Sequence, residues 1–161
     1  YGTLGLADLC DDMHDALRTS RMPALLDSAF DALPEAKLTP ADAYRRLVRG
    51  RTERLSLTAM AERTATVMVV PYPPGIPILM PGESSGADDG PLLEYLSALE
   101  AFDKRFPGFE HDIHGVERDT NGNYAIECLA LDAVRVASNG SHPVEHKQPV
   151  AVGAVAPSLT T

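Results

Sequence analysis

Thr66-Val67-Met68-Val69-Val70 runs without a break into Pro71-Tyr72-Pro73-Pro74-Gly75-Ile76-Pro77-Ile78-Leu79-Met80-Pro81-Gly82-Glu83. The first part belongs to an apolar, β-branched stretch, Thr64–Val70, of the kind that forms a buried strand. The second holds five of the chain's 13 prolines. Proline fixes φ near −65° and has no N–H to donate, so this part is expected to lie outside any sheet or helix. Tyr72 and Met80 each precede a proline and are biased away from helical backbone. The product is a stiff, extended apolar loop that ends on one carboxylate, Glu83. Such a loop loses little entropy when it becomes a wall or a docking surface.

Working outward, Leu6, Leu9, Met13 and Leu17 recur close to every 3.6 residues and predict an amphipathic helix over 6–20. A second short helix follows Pro23, with Leu25, Leu26, Ala29 and Phe30 inward. Thr39-Pro40-Ala41-Asp42 is a helix start, with Thr39 as N-cap and Pro40 at the first helical position. Gly50 closes that helix. Arg54–Leu57 alternates like a strand, and Thr58 caps one helical turn through Glu62. Pro91 opens the longest helix, with the stripe Leu92, Leu93, Leu96, Leu99 and Phe102, and Pro107-Gly108 ends it. Phe109–Arg118 and Tyr124–Leu131 flank Asn121-Gly122, a hairpin signal. The expected class is α+β: N-terminal helices, then a small mixed sheet packed against a long helix. Residues 1–135 form one domain on this reading. Residues 136–161, rich in Pro, Ala and Val, form a flexible tail.

Composition narrows the function. The 161 residues suit one domain with a genuine core, and 44% of them are apolar. No run of about 18 apolar residues occurs, so a membrane span is not expected. A formal net charge of −9 argues against a nucleic-acid partner, because phosphate binding needs a positive field. Cys10 and Cys128 stand far apart in unlike contexts and read as two reduced thiols of a cytoplasmic protein. No basic-then-apolar leader opens the chain. It begins at Tyr1, which we read as the start of a piece of something longer.

Four ordered blocks resemble the C-terminal domain of the bacterial ornithine/lysine/arginine decarboxylases, pyridoxal-phosphate enzymes of the aspartate-aminotransferase fold type. They are Leu33-Pro34-Glu35 with Leu38–Tyr44 and Leu47-Val48-Arg49-Gly50; the proline segment; Phe106–Glu110 with Asp112-Ile113-His114-Gly115; and Gly122-Asn123-Tyr124. The resemblance covers roughly residues 6–131. It implies that this chain is a supporting, non-catalytic domain of a longer cytoplasmic parent. That parent would decarboxylate arginine, lysine or ornithine and pair into homodimers or larger rings. Its catalytic core would be this domain's partner. The resemblance also implies that the Tyr72–Glu83 loop lies closest to the chemistry, with Tyr72 lining the substrate channel and Glu83 attracting a cationic side chain. On the plainer reading, Glu83 caps the following segment or pairs with an arginine, and the prolines merely pack.

The cofactor machinery is expected elsewhere in the parent. Pyridoxal phosphate needs a Schiff-base lysine, an acidic partner and a phosphate cradle. The lysines are Lys37, Lys104 and Lys147; none stands in the Ser-x-His-Lys type of setting the resemblance requires, and no Gly-rich phosphate loop appears. No catalytic residue is therefore assigned here, and no metal site. His111 and His114 point to opposite faces of a strand, with His114 read as a structural hydrogen-bonding residue and His111 as solvated. Cys10 and His14, one helical turn apart, lack a third ligand. Arg45, Arg46, Arg49, Arg51 and Arg54 form the one basic cluster. It is either a solvated face paired with acidic neighbours, or a contact for an anionic effector or an acidic subunit surface, with Arg45, Arg46 and Arg49 as the contact residues. The second option supports an alternative function: a free-standing α+β binding or regulatory module for an anionic ligand.

Overall fold

A computed structural model of the chain describes residues 5–131. The expected tail, 136–161, lies outside the described residues. Three helices come first: α1 (Leu6–Thr19), α2 (Met22–Asp31) and α3 (Pro40–Val48). β1 (Thr52–Ser56) and a single 3-10 turn (Leu57–Ala59) follow, then β2 (Val70–Tyr72), α4 (Pro91–Arg105), β3 (Asp112–His114), β4 (Val116–Arg118) and β5 (Tyr124–Leu129). The start of α3 is the expected one: Thr39 Oγ1 accepts the Asp42 N–H at 3.2 Å, and Pro40 occupies the first turn.

The class is α+β, as expected, but the sheets are antiparallel throughout rather than mixed. One has the order β1–β5–β4 and the other pairs β2 with β3. The segment read as one strand over 109–118 is divided at Gly115, whose φ is +82°. Its first part pairs with β2 and its second with β5. β5 alternates as a half-covered strand should, with Tyr124, Ile126 and Cys128 buried. The core gathers these three with Leu92, Leu93, Leu96 and Leu99 of α4, Met60, Leu79 and Ile113. α4 packs along α2. Among the described residues, no helix is long and apolar enough to cross a membrane.

Thr64–Val70 is buried for much of its length but is not one strand. Its backbone is shared among several partners in turn. Thr64–Thr66 lies alongside β5: Leu129 donates to the Thr64 carbonyl and Thr66 to the Glu127 carbonyl, both at 2.9 Å. Ala65 exchanges bonds with Glu83 and Gly82, and Val69 with Leu79 and Ile78. Only Val70 onward enters a regular ladder. There the expectation that the proline segment avoids sheets fails at Pro71, which sits in β2 opposite Ile113. A proline is tolerated because this sheet has only two strands, so β2 is an edge.

Candidate functional site

The proline segment is the turned-back half of an irregular hairpin. Residues 64–70 form one arm and 78–84 the other, clasped by Val69 N–H to Leu79 O (2.9 Å), Ile78 N–H to Val69 O (3.0 Å) and Gly82 N–H to Ala65 O (2.8 Å). Further chain covers the second arm. The Gly82 carbonyl accepts the Lys37 and Leu38 N–H groups at 2.9 and 3.0 Å, and Ser84 donates to the Glu35 carbonyl at 2.9 Å. The sequence block around Glu35–Leu38 therefore lies beside the end of the proline segment. The block Asp112–Gly115 lies beside its beginning through β2–β3.

Only the tip, from Pro73 through Pro77, leaves this lattice, with Tyr72 at its edge as the last residue of β2. Gly75 takes φ +79° there, and a β-carbon on it would come within 2.9 Å of the Tyr72 ring. The ring thus lies directly over Gly75, and the Gly75 N–H bonds the Pro71 carbonyl at 2.8 Å. Tyr72 and Ile76 are about half exposed (50% and 51%), and Met80 follows at 38%. Pro73, Pro74 and Pro77 are exposed beside them. The base of the hairpin is the opposite: Pro71, Ile78 and Leu79 are buried. The result is a rigidly anchored apolar projection.

Tyr72 and Glu83 thus sit at the two ends of one element, Tyr72 at the tip and Glu83 at the base. Glu83 Oε2 accepts the Met80 N–H at 2.7 Å. The carboxylate closes the turn that precedes it, whereas the plainer expectation had it capping the following segment or pairing with an arginine. The arginines are placed elsewhere. Arg45 pairs with Asp42 at 3.0 Å on an exposed face of α3, Arg46 is half-buried, and Arg49 is exposed at the end of that helix. Arg54 is also spent on acidic neighbours, Glu117 at 2.6 Å and Glu127 at 3.7 Å. Two arginines of the cluster, Arg45 and Arg54, are thus paired with acidic neighbours on a solvated face.

The histidines exchange the roles expected of them. His114 is exposed, while His111 bonds a carboxylate that the sequence reading passed over. Asp103, in the last turn of α4, is 3% exposed. It accepts the His111 N–H at 3.1 Å, meets His111 Nδ1 at 2.6 Å and Arg118 Nη1 at 3.4 Å, and accepts the Tyr124 hydroxyl. Burial pushes the Asp103 carboxyl up, but the hydrogen bonds from His111 and Tyr124 outweigh it and hold its pKa below the ordinary value. Burial, then the Asp103 carboxylate, drives the Tyr124 hydroxyl the other way, so it stays protonated. One signal was available. Asp103 continues the buried stripe Leu92, Leu96, Leu99 toward Phe106, where an acidic residue needs a partner.

Lys37 is exposed and pairs with Glu35. Lys104, also exposed, is tied to Glu100 at 2.5 Å and to Asn123 at 2.7 Å. Neither setting fits a lysine that holds an aldehyde cofactor. Among the described residues, no group of three His, Cys, Asp or Glu side chains is placed to hold a metal ion.

Residues 23–130 match the model of the Orn/Lys/Arg decarboxylase C-terminal domain. The chain belongs to that family. A lysine decarboxylase, LdcA, of Pseudomonas aeruginosa is 38% identical over 132 residues, which is 80% of this chain and 18% of that protein. The biodegradative arginine decarboxylase of Escherichia coli is 39% identical over 129 residues, 80% of this chain and 17% of the other. The solved structure of the E. coli constitutive lysine decarboxylase superposes with a TM-score of 0.71 at 38% identity, over 76% of this chain and 17% of that one. This chain therefore spans less than a fifth of these relatives. The family domain includes the proline hairpin, the Asp103 network and both small sheets.

Proposed function

We propose that this domain is the C-terminal, non-catalytic part of a cytoplasmic, pyridoxal-phosphate-dependent decarboxylase of arginine, lysine or ornithine. Its proline tip docks on the catalytic core and forms a wall of the substrate approach. The parent reaction releases CO2 from the amino acid, takes up one proton and leaves an amine. On this reading the core holds the cofactor; among the described residues, Lys37 and Lys104 are both exposed and paired with carboxylates. Subunit pairing into dimers, and of dimers into rings, belongs to the same reading.

The observation that carries the proposal is the contrast along the hairpin. Its base is buried and hydrogen-bonded on both arms, while Tyr72, Ile76 and Met80 stand exposed among prolines. A surface that is both rigid and apolar gains from docking and gives up little entropy. Glu83, at the base, supplies negative charge for a basic side chain entering past Tyr72.

The test uses the full-length gene product, assayed for CO2 release with each of the three amino acids. Ile76→Asp puts a charge on the tip without touching the domain's own core. It is expected to lower activity or assembly while leaving the domain's own fold intact. Wild-type assembly and activity in that variant would overturn the docking proposal.

A further inference from the structure

The ribbon that carries the tip is too small to hold itself. β2 and β3 contribute three residues each, and an isolated pair of strands is marginal in water even when longer. One end of β3 is fixed by Gly115, which lies against the Met68 main chain; a β-carbon on Gly115 would stand 2.0 Å from the Met68 carbonyl oxygen. At the other end Asp112 faces Tyr72, and the residue before Asp112 is His111.

His111 is held from outside the ribbon. Asp103 takes its main-chain N–H at 3.1 Å and its Nδ1 at 2.6 Å, and Arg118 Nη2 donates to its carbonyl at 3.2 Å. The Phe102 ring meets the imidazole edge-on at 5.3 Å. Asp103 is braced in turn by Tyr124 and Arg118, which face each other across β4–β5. A route of hydrogen bonds and ladder pairing thus leads from the three-stranded sheet, through Asp103 and His111, to the strand opposite Tyr72. Apolar packing fixes separations but tolerates rotation. A buried carboxylate with several donors fixes direction, and losing one donor is costly.

We infer that Asp103 and His111 are positioning residues for the Tyr72 end of the proline tip: the pair fixes where β3 begins, and β3 fixes where Tyr72 stands. The inference rests on the reading of the tip as a wall of the substrate approach. Neither residue has to touch the substrate; both act through the Asp112–Tyr72 register.

The test uses the full-length decarboxylase with the basic amino acid it accepts. Asp103→Asn keeps the shape and removes the charge. It is expected to raise KM about tenfold while kcat stays within about twofold. His111→Ala should do the same, and His111→Asn, whose amide nitrogen falls near the place of Nδ1, should recover most of the loss. Because the pair acts through Tyr72, Asp103→Asn combined with Tyr72→Ala should be no worse than Tyr72→Ala alone. Should Asp103→Asn fail to fold, the two His111 variants, each alone and combined with Tyr72→Ala, carry the same test. Unchanged KM in the Asp103 and His111 variants, or effects that add in full to Tyr72→Ala, would overturn the inference even where Tyr72→Ala itself raises KM. If Tyr72→Ala and Glu83→Gln both leave KM unchanged, the wall reading fails and takes this inference with it.

Discussion

Gly82 and Leu38 are in direct main-chain contact. A β-carbon on Gly82 would stand 2.4 Å from the Leu38 carbonyl oxygen, and the Gly82 carbonyl accepts the Leu38 N–H at 3.0 Å. Gly82 also takes φ +95°, a conformation that side chains resist. Gly82→Ala therefore meets both strain and a backbone clash. The expected loss of stability is more than about 2 kcal/mol, read as a lower denaturant midpoint at unchanged slope. Gly50→Ala is the control. It shares a positive φ, +64°, but nothing stands within 4 Å of its β-carbon, so its loss should be clearly smaller.

Asp103 makes stability depend on acidity. Its folded-state pKa is depressed, so the unfolded chain binds the proton more readily. Its contribution is complete above the unfolded carboxyl pKa, about 3.9, and is lost as pH falls through the lower folded value. Melting temperature should fall steeply on acidification below about pH 4. In Asp103→Asn the curve should start lower and be flatter across that window. An equally steep curve in the variant would assign the acid sensitivity to other carboxylates.

The two thiols should differ sharply in reactivity. Burial pushes the Cys128 thiol up to about 12, so almost none of it is thiolate near pH 8. Cys10 is exposed on α1. One thiol should react quickly with a disulfide reagent in the folded protein, and a second only after denaturation. Two fast thiols in the folded state would mean that β5 opens readily.

Local chemistry made several elements legible in advance. Thr39-Pro40 marked the start of α3, Pro91 that of α4, and Asn121-Gly122 the turn between β4 and β5, where Gly122 indeed takes φ +77°. What stayed hidden depended on partners distant in sequence. Thr64–Val70 has strand composition, yet its backbone is divided among Glu83, Glu127 and Leu79, so no regular strand forms before Val70. Pro71 looked incompatible with a sheet until the sheet proved to have only two strands. The roles of His111 and His114 were exchanged because the deciding carboxylate, Asp103, arrives from α4. The apolar character of the tip was readable; the closure of the Met80–Glu83 turn by Glu83 itself was not.

On the proposed function, this hairpin borders the path of a basic amino acid, with Glu83 supplying charge. The most direct test is the steady-state kinetics of Glu83→Gln in the full-length gene product, with arginine, lysine and ornithine each as substrate. The KM for the preferred amino acid should rise about tenfold or more, and more strongly at low ionic strength, where charge attraction is least screened. The enzyme should remain folded, because the glutamine oxygen still accepts the Met80 N–H. An unchanged KM at every ionic strength, with fold and assembly intact, would contradict the claim and leave Glu83 as a turn-closing residue alone.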